Sequence, residues 1–236
     1  MCGEQKQELI FRQLFDRETS TYTYLLADPN TMEGVLIDSV KEQVERDVKL
    51  ADELGIKLLY LLETHVHADH VTGAGEIRKR KKAKIVYGVG AKVSCADVEV
   101  KDGDKLTFGG IFIQVIATPG HTDGCSSYLI EDKVFTGDTL LIRGCGRTDF
   151  QQGSSANLWT SVKEKLFRLP EATTVYPAHD YKGVTATSIA EEKRFNPRLG
   201  EEKTEEEFRS IMESLNLPKP KRIDIAVPAN MKCGLD

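Results

Sequence analysis

No stretch of this sequence holds the ~20 consecutive apolar residues that a bilayer-spanning helix requires, so a transmembrane span is excluded. Positive charge is in the minority. Lys and Arg number 32 against 37 Asp and Glu, and a net charge of −5 leaves no broad basic face for nucleic acid. Residues Met1–Gln7 lack the apolar core of a signal peptide and the Arg- and Ser-rich, acid-poor character of a transit peptide. A cytosolic protein is expected, or one whose presequence is missing from the chain. Cysteine is sparse and odd in number: Cys2, Cys95, Cys125, Cys145 and Cys233, with no CxxC pair. That pattern argues against a Cys-type zinc site and against a disulfide framework, and predicts reduced thiols in an intracellular protein.

What is present is ordinary soluble material, 40% hydrophobic and 29% charged, in a chain of 236 residues that can bury a substantial core. Strands are predicted at 9–15, 21–27, 34–38, 57–63, 84–87, 105–108, 111–116, 127–130, 134–136 and 173–176, with Gly109-Gly110 turning a hairpin. Helices are predicted at 40–54, 70–81, 155–168, 185–195 and 204–215 from apolar spacing and a Gly55 stop. The basic run Arg78-Lys79-Arg80-Lys81-Lys82 reads as a solvated helix face rather than an anion patch. The Pro-punctuated tail 217–236 is expected to pack as an extended arm. Without repeats or a linker, this alternation implies one α+β domain over 1–236, two sheets with helices outside and a short C-terminal extension from about 200.

The five histidines are placed with economy. His65, His67 and His70 fall with Asp69 in one HxHxDH cluster, and the other two are His121, after Pro119-Gly120, and His179, after Pro177-Ala178. Each follows a predicted strand, as does Asp138 after Gly137, so loops at strand ends would converge on one edge of a sheet. In an extended segment His65 and His67 point to the same side. Imidazoles and carboxylates in that number point to a metal.

His65, His67, Asp69, His70, His121, Asp138 and His179, in that order, resemble the metallo-β-lactamase superfamily, which implies an αββα sandwich with its metal site at one edge. A closer resemblance lies in Phe11-Arg12-Gln13-Leu14-Phe15, in 141–151 with Arg143, Cys145, Arg147 and Asp149, in Tyr176–Tyr181, in Asn196-Pro197-Arg198-Leu199 and in Val227–Gly234. Those segments look like the persulfide dioxygenases, the sulfur dioxygenases of the ethylmalonic-encephalopathy protein type, over essentially the whole chain. The resemblance implies one Fe(II) per chain on residues matching His65, His121 and Asp138, a two-His, one-carboxylate set. His67, Asp69, His70 and His179 then support these ligands or, as in dinuclear relatives, hold a second metal. The implied reaction is oxidation of glutathione persulfide by O2 and water to glutathione and sulfite, with no catalytic residue beyond the metal centre.

Glutathione brings two carboxylates, so Arg143, Arg147 and Tyr181 are the candidate substrate-binding residues. Cys145 and Cys233 are expected to be inert thiols. The principal alternative is a glyoxalase II-like thioester hydrolase with two metals, which the HxHxDH set also fits. The arginine-bearing loop 141–151 and the short C-terminal region argue against it. A β-lactamase would need a signal peptide, and a chemically silent structural protein would not retain all seven donors. The resemblance allows a homodimer, and a setting in the bacterial cytoplasm or, for a mature eukaryotic form, the mitochondrial matrix. No nucleic-acid or membrane partner is expected.

Overall fold

The computed structural model describes residues 8–235, so the expectations on Met1–Gln7 and Cys2 lie outside the described residues. Two six-stranded sheets carry the chain. The first takes β1 (Ile10–Asp16), β2 (Thr21–Ala27), β3 (Glu33–Ile37), β4 (Lys57–Leu62), β5 (Lys84–Gly88) and β6 (Val98–Val100) in sequence order. The second takes β7 (Lys105–Phe108), β8 (Ile111–Ala117), β9 (Ser126–Ile130), β10 (Lys133–Gly137), β11 (Thr174–Pro177) and β12 (Thr187–Ser188), also as consecutive neighbours. Strands β3 to β6 run parallel, and α1 (Val44–Glu53) and α2 (Ala74–Lys81) cross over between them. Parallel neighbours need such crossovers, whereas β7 to β10 are antiparallel, with short turns at β7–β8 and β9–β10 and a longer loop, 118–125, between β8 and β9.

The alternation of β2 shows how the layers form. Tyr22, Tyr24 and Leu26 face the core between the sheets, with Val35, Phe108, Ile113, Val115, Tyr128 and Phe135. Leu25 and Ala27 face the opposite way, against Val44, Ala51 and Ile77 of α1 and α2. All seven residues of β2 are buried because the strand is covered on both faces, and its two threonines are accommodated by hydrogen bonds, Thr23 to Asp38 O (2.7 Å) and Thr21 to Asp69 (3.3 Å). A third cluster, with Val134, Leu158, Val175, Ile189 and Phe208, sits on the outer face of the second sheet under α3 (Ser155–Thr160), α4 (Ile189–Phe195) and α5 (Glu205–Ser214). The result is the expected αββα sandwich.

Several local expectations need correction. The helix predicted over 155–168 is α-helical only to Thr160; its path widens into a π-type turn at Ser161–Lys165 and tightens at Leu166–Arg168. Strands β6 and β12, three and two residues long, are too short to leave a periodic signal. The tail is no extended arm: Ile223–Asn230 forms α6, with Pro228 tolerated inside it. That helix turns the C-terminus back over the first sheet, and Cys233 is joined to Cys95 by a disulfide across 138 residues. Sequence spacing could not show a pairing created by the return of a C-terminal helix, so the expectation of reduced thiols fails at these two positions. The basic run is the solvated face foreseen, since Arg78 pairs with Asp97, Arg80 with Glu45 and Glu76, and Lys81 with Asp52.

Candidate metal centre

All five histidines meet at the edge where strands of both sheets end. β4 leads through Glu63 and Thr64 into His65, His67 and His70, β8 into His121, β10 into Asp138 and β11 into His179. Backbone hydrogen bonds sew these ends together: Ser126 N to Thr64 O (2.8 Å), Ala178 N to Gly137 O (3.0 Å) and Tyr22 N to Ala178 O (2.7 Å). Gly137 has φ +54°, and a Cβ there would lie 2.5 Å from Thr64 Oγ1, so the turn that delivers Asp138 beside His65 requires glycine. Ring centroids stand 4.0 Å apart for His65 and His67, 4.9 Å for His65 and His121, and 4.3 Å for His67 and His70.

Hydrogen bonding fixes which nitrogen of each ring carries the proton. The Thr64 hydroxyl donates to Asp38 Oδ2 (2.8 Å), so toward His65 Nδ1 (2.9 Å) it can only accept, and His65 keeps its Nε2 lone pair. His121 Nδ1 donates to the Arg147 carbonyl (2.7 Å), which likewise frees Nε2. His67 is held the other way round, Nε2–H to Asp38 Oδ1 (3.1 Å), leaving Nδ1. His70 gives Nδ1–H to Asp69 Oδ2 (3.0 Å) and His179 gives Nδ1–H to Ser20 O (3.2 Å), leaving both Nε2 atoms. Five rings are thus oriented through one nitrogen while the other is kept as a donor pair, the pattern expected of metal-ligating imidazole.

Burial pushes the His65 and His67 imidazoles well below their ordinary range, and each is pushed further by its neighbouring ring, so both are neutral. Burial opposes ionisation of Asp69, yet the His179 and His70 imidazoles beside it hold the carboxyl well below the usual range. His179 is raised, because Asp69 and Asp138 outweigh the opposing effect of burial. Donor atoms of His65, His121 and Asp138 lie within 4.8 Å of one another, as do those of His67, Asp69 and His179. His67 Nδ1, His70 Nε2 and Asp138 Oδ1 are buried with no hydrogen-bond partner among the described residues. Orphaned buried polar atoms cost about 1–3 kcal/mol each. Lone pairs in that condition, all of acceptor character, fit a cation.

Of the three expected substrate-binding residues, Tyr181 and Arg147 touch the histidines, one by its ring and the other by its carbonyl, whereas the Arg143 side chain is engaged with Thr187 and α4. Tyr181 is 75% exposed, its ring stacked 6.1 Å from that of His179. Arg147 forks onto Asp149 with two 2.7 Å bonds, donates to Pro218 O and lies over the Phe150 ring. Arg143 engages Glu191, Glu192 and Thr187 and lies over Phe195. Cys145 is buried beside Met212 and Arg198, and burial raises its thiol to about 11.

Four further residues went unnoticed in the sequence. Asp38 accepts from Thr64 N, Thr64 Oγ1 and His67 Nε2; Glu63 accepts from Ser39 and Thr72. Gln151 donates to Val66 O (2.8 Å), and Asn230 to the carbonyls of His67 and His70. Asp38 had a readable signal, a carboxylate closing the buried run Val35-Leu36-Ile37. Gln151 and Asn230 lie in the segments 141–151 and Val227–Gly234 that carry the family resemblance, although no role followed from it, and Glu63 had no signal.

The sequence profile of the Metallo-beta-lactamase superfamily matches residues 16–179. The chain is 49% identical over 234 residues to "Persulfide dioxygenase ETHE1, mitochondrial" of Mus musculus, covering 96% of this chain and 89% of the mouse protein. It superposes on the crystal structure of ETHE1 from Myxococcus xanthus with a TM-score of 0.93 at 57% identity, covering 96% of this chain and all of that one. The hydroxyacylglutathione hydrolase of Rhodopseudomonas palustris is more distant, 34% identical over 175 residues and covering 72% of this chain and 66% of its own length. Near-full-length identity on one side and partial likeness on the other separate the two enzyme classes, and the chain belongs to the metallo-β-lactamase superfamily and, within it, to the persulfide dioxygenases, a family of oxidoreductases.

Proposed function

We propose that the chain oxidises glutathione persulfide with O2 and water to glutathione and sulfite, using one Fe(II) held by His65, His121 and Asp138. The observation that carries this reading is the pair of Nε2 atoms left free on His65 and His121 by Thr64 and the Arg147 carbonyl, with Asp138 Oδ2 3.6 Å from His121 Nε2 and the donor atoms of all three residues within 4.8 Å of one another. His65, His121 and Asp138 would hold the iron as two imidazoles and one carboxylate, and the chemistry it would supply there is activation of O2 toward the persulfide sulfur.

The remaining residues hold that arrangement. Asp38 fixes His67, Asp69 fixes His70, and His179 Nε2 faces Asp69 and Asp138 at 3.6 and 3.7 Å. In this reading they hold the water that releases sulfite and orient Asp138. Tyr181 offers an exposed ring and hydroxyl at the rim for the glutathione peptide. Arg143 and Arg147 supply positive charge there, each already paired, so a substrate carboxylate would share them with Glu191 or Asp149. The whole of 1–236 is read as one domain, able to dimerise. A mitochondrial setting, read here as the matrix, is supported by the word mitochondrial in the mouse relative's name, and a cytoplasmic one would suit a bacterial source; among the described residues no helix is long and apolar enough to cross a membrane.

The test is to purify the protein under reducing conditions, measure bound metal, and follow O2 uptake with glutathione persulfide beside hydrolysis of S-lactoylglutathione. Iron at one per chain with O2 consumption supports the proposal. Two zinc ions with thioester cleavage would overturn it in favour of the His67–Asp69–His179 group as a second metal site.

A further inference from the structure

The far C-terminus reaches the histidine motif through one side chain. Asn230, the last residue of α6, is fully buried and lies 160 residues from His70 in sequence. Its amide Nδ2 donates to His67 O and to His70 O, both at 2.9 Å, and its Oδ1 accepts from Thr72 N at 2.8 Å. An asparagine side chain has two N–H donors and one carbonyl, so every group it owns is committed to the six-residue stretch from His67 to Thr72.

We infer that Asn230 is a positioning residue for the metal site, clamping the backbone from which His67, Asp69 and His70 project. This deepens the proposed metal-dependent reading and rests on it. Two ring nitrogens, His67 Nδ1 and His70 Nε2, face inward without a partner. Asp38 and Asp69 hold the outward nitrogens of those rings. Neither carboxylate fixes the Cα positions from which the rings start, and a shared donor bridging the carbonyls at 67 and 70 does. A clamp must itself be rigid. Beyond Asn230 the chain is pinned to α2 by Gly75 N donating to Cys233 O (2.9 Å), to Lys41 through Gly234 O (3.1 Å) and to Cys95 by the disulfide. Groups that orient a metal site from behind its ligands are each worth about 10–100-fold in metal affinity.

The experiment titrates Co(II) into metal-stripped protein and reads affinity and the visible absorption bands, with thermal unfolding of each variant measured alongside. Asn230→Asp keeps the shape and the acceptor toward Thr72 but removes both donors; Asn230→Ala removes all three bonds. Both are expected to weaken Co(II) binding about tenfold or more and to shift the absorption bands. Val227→Ala, which loosens the packing of the same helix without touching the motif, is the control for a purely structural effect, and is expected to bind Co(II) like the wild type. Wild-type affinity and bands in both Asn230 variants, or an equal loss in Val227→Ala, would overturn the clamp while the metal reading stands. A wild-type protein that takes up no Co(II) would overturn both.

Discussion

His121 Nδ1 lies 2.7 Å from the carbonyl oxygen of Arg147, so the loop that follows Asp138 sets the tautomer of a histidine 26 residues before it. The loop is drawn in closely at that point. Gly146 N donates to Asp138 O at 2.7 Å, and a Cβ at Gly146 would stand 2.6 Å from that oxygen and 2.8 Å from His121 Nδ1. A methyl group cannot be accommodated without moving the carbonyl or the ring. Gly146→Ala is therefore expected to lose bound iron and to cut O2 consumption about tenfold or more, with circular dichroism unchanged. Metal analysis after dialysis checks the first, and an oxygen electrode the second. Full iron occupancy in Gly146→Ala would show that the tautomer is held some other way.

Arg143 carries a different burden. Its guanidinium is the partner of Glu192, a carboxylate with no solvent exposure, whose other oxygen accepts from Arg143 N and Asn196. Removing one member of a fully buried pair costs about 3–5 kcal/mol. The arginine side chain is 34% exposed, so Arg143→Ala is expected to cost less, about 2–3 kcal/mol by denaturant unfolding. The double variant with Glu192→Gln should recover part of that loss, since no buried charge is then left alone. Any rise in KM for glutathione persulfide has to be read after correcting for the folded fraction.

A pH dependence unrelated to the metal centre follows from Asp47. Its side chain is wholly buried in α1, one oxygen on Arg46 and the other without a partner among the described residues, and burial raises its carboxyl to about 6. The unfolded chain releases this proton near 4 and the folded chain only near 6. Below pH 4 both states hold the proton and no penalty exists. Between 4 and 6 the native state binds more protons, so stability falls as pH rises, by up to about 3 kcal/mol. Asp47→Asn is expected to remove that slope and to gain about 1–2 kcal/mol at pH 7, having kept a weaker bond to Arg46. Urea unfolding at several pH values checks it; an unchanged slope would mean that the carboxyl titrates normally.

Much of this architecture was legible before the structure because two periodicities are written plainly. The alternation of β2 and β8, and the spacing of Phe208 and Met212 in α5, follow from faces that must be buried. The seven metal-type residues were legible because each closes a strand and because the chain has no histidine elsewhere. What stayed hidden depends on contacts far apart in sequence. Asn230 is one asparagine in a short, mostly apolar stretch, and its partners at His67, His70 and Thr72 meet it only when α6 folds back. Cys95 and Cys233 carry no mark of their pairing, and Pro228 argued for an extended tail because proline ordinarily breaks a helix interior, yet it stands sixth of the eight residues of α6.

The Cys95–Cys233 bond closes a loop of 138 residues and anchors the helix that bears Asn230. Cross-links of long loops act mainly on the unfolded chain and are worth about 2–4 kcal/mol. Cys95→Ser should lower the unfolding midpoint, and a reductant should lower that of the wild type to the same value while leaving Cys95→Ser unaffected. A wild-type midpoint insensitive to reductant would show that the bond is not formed in solution.

The division of labour within the HxHxDH cluster can be tested at two of its members. His65 has its Nδ1 proton committed to Thr64, so its Nε2 has nothing to do in the protein except to face Asp138 and His121. Asp69 is otherwise engaged: Oδ2 accepts from His70 Nδ1 at 3.0 Å and from Thr21 Oγ1 at 3.3 Å, and it stands 3.6 Å from His179 Nε2. A carboxylate that accepts from two donors, one of them a histidine of the cluster, is organising its neighbours. His65→Ala should abolish iron binding, because two donors would remain of the three in the proposed iron site. Asp69→Ala should keep appreciable iron and lose activity about 10–100-fold, as removal of a supporting group does. Bound iron and O2 uptake measured on the same preparations decide the matter, and equal loss of metal in the two variants would instead mean that Asp69 is itself a ligand and the centre is dinuclear.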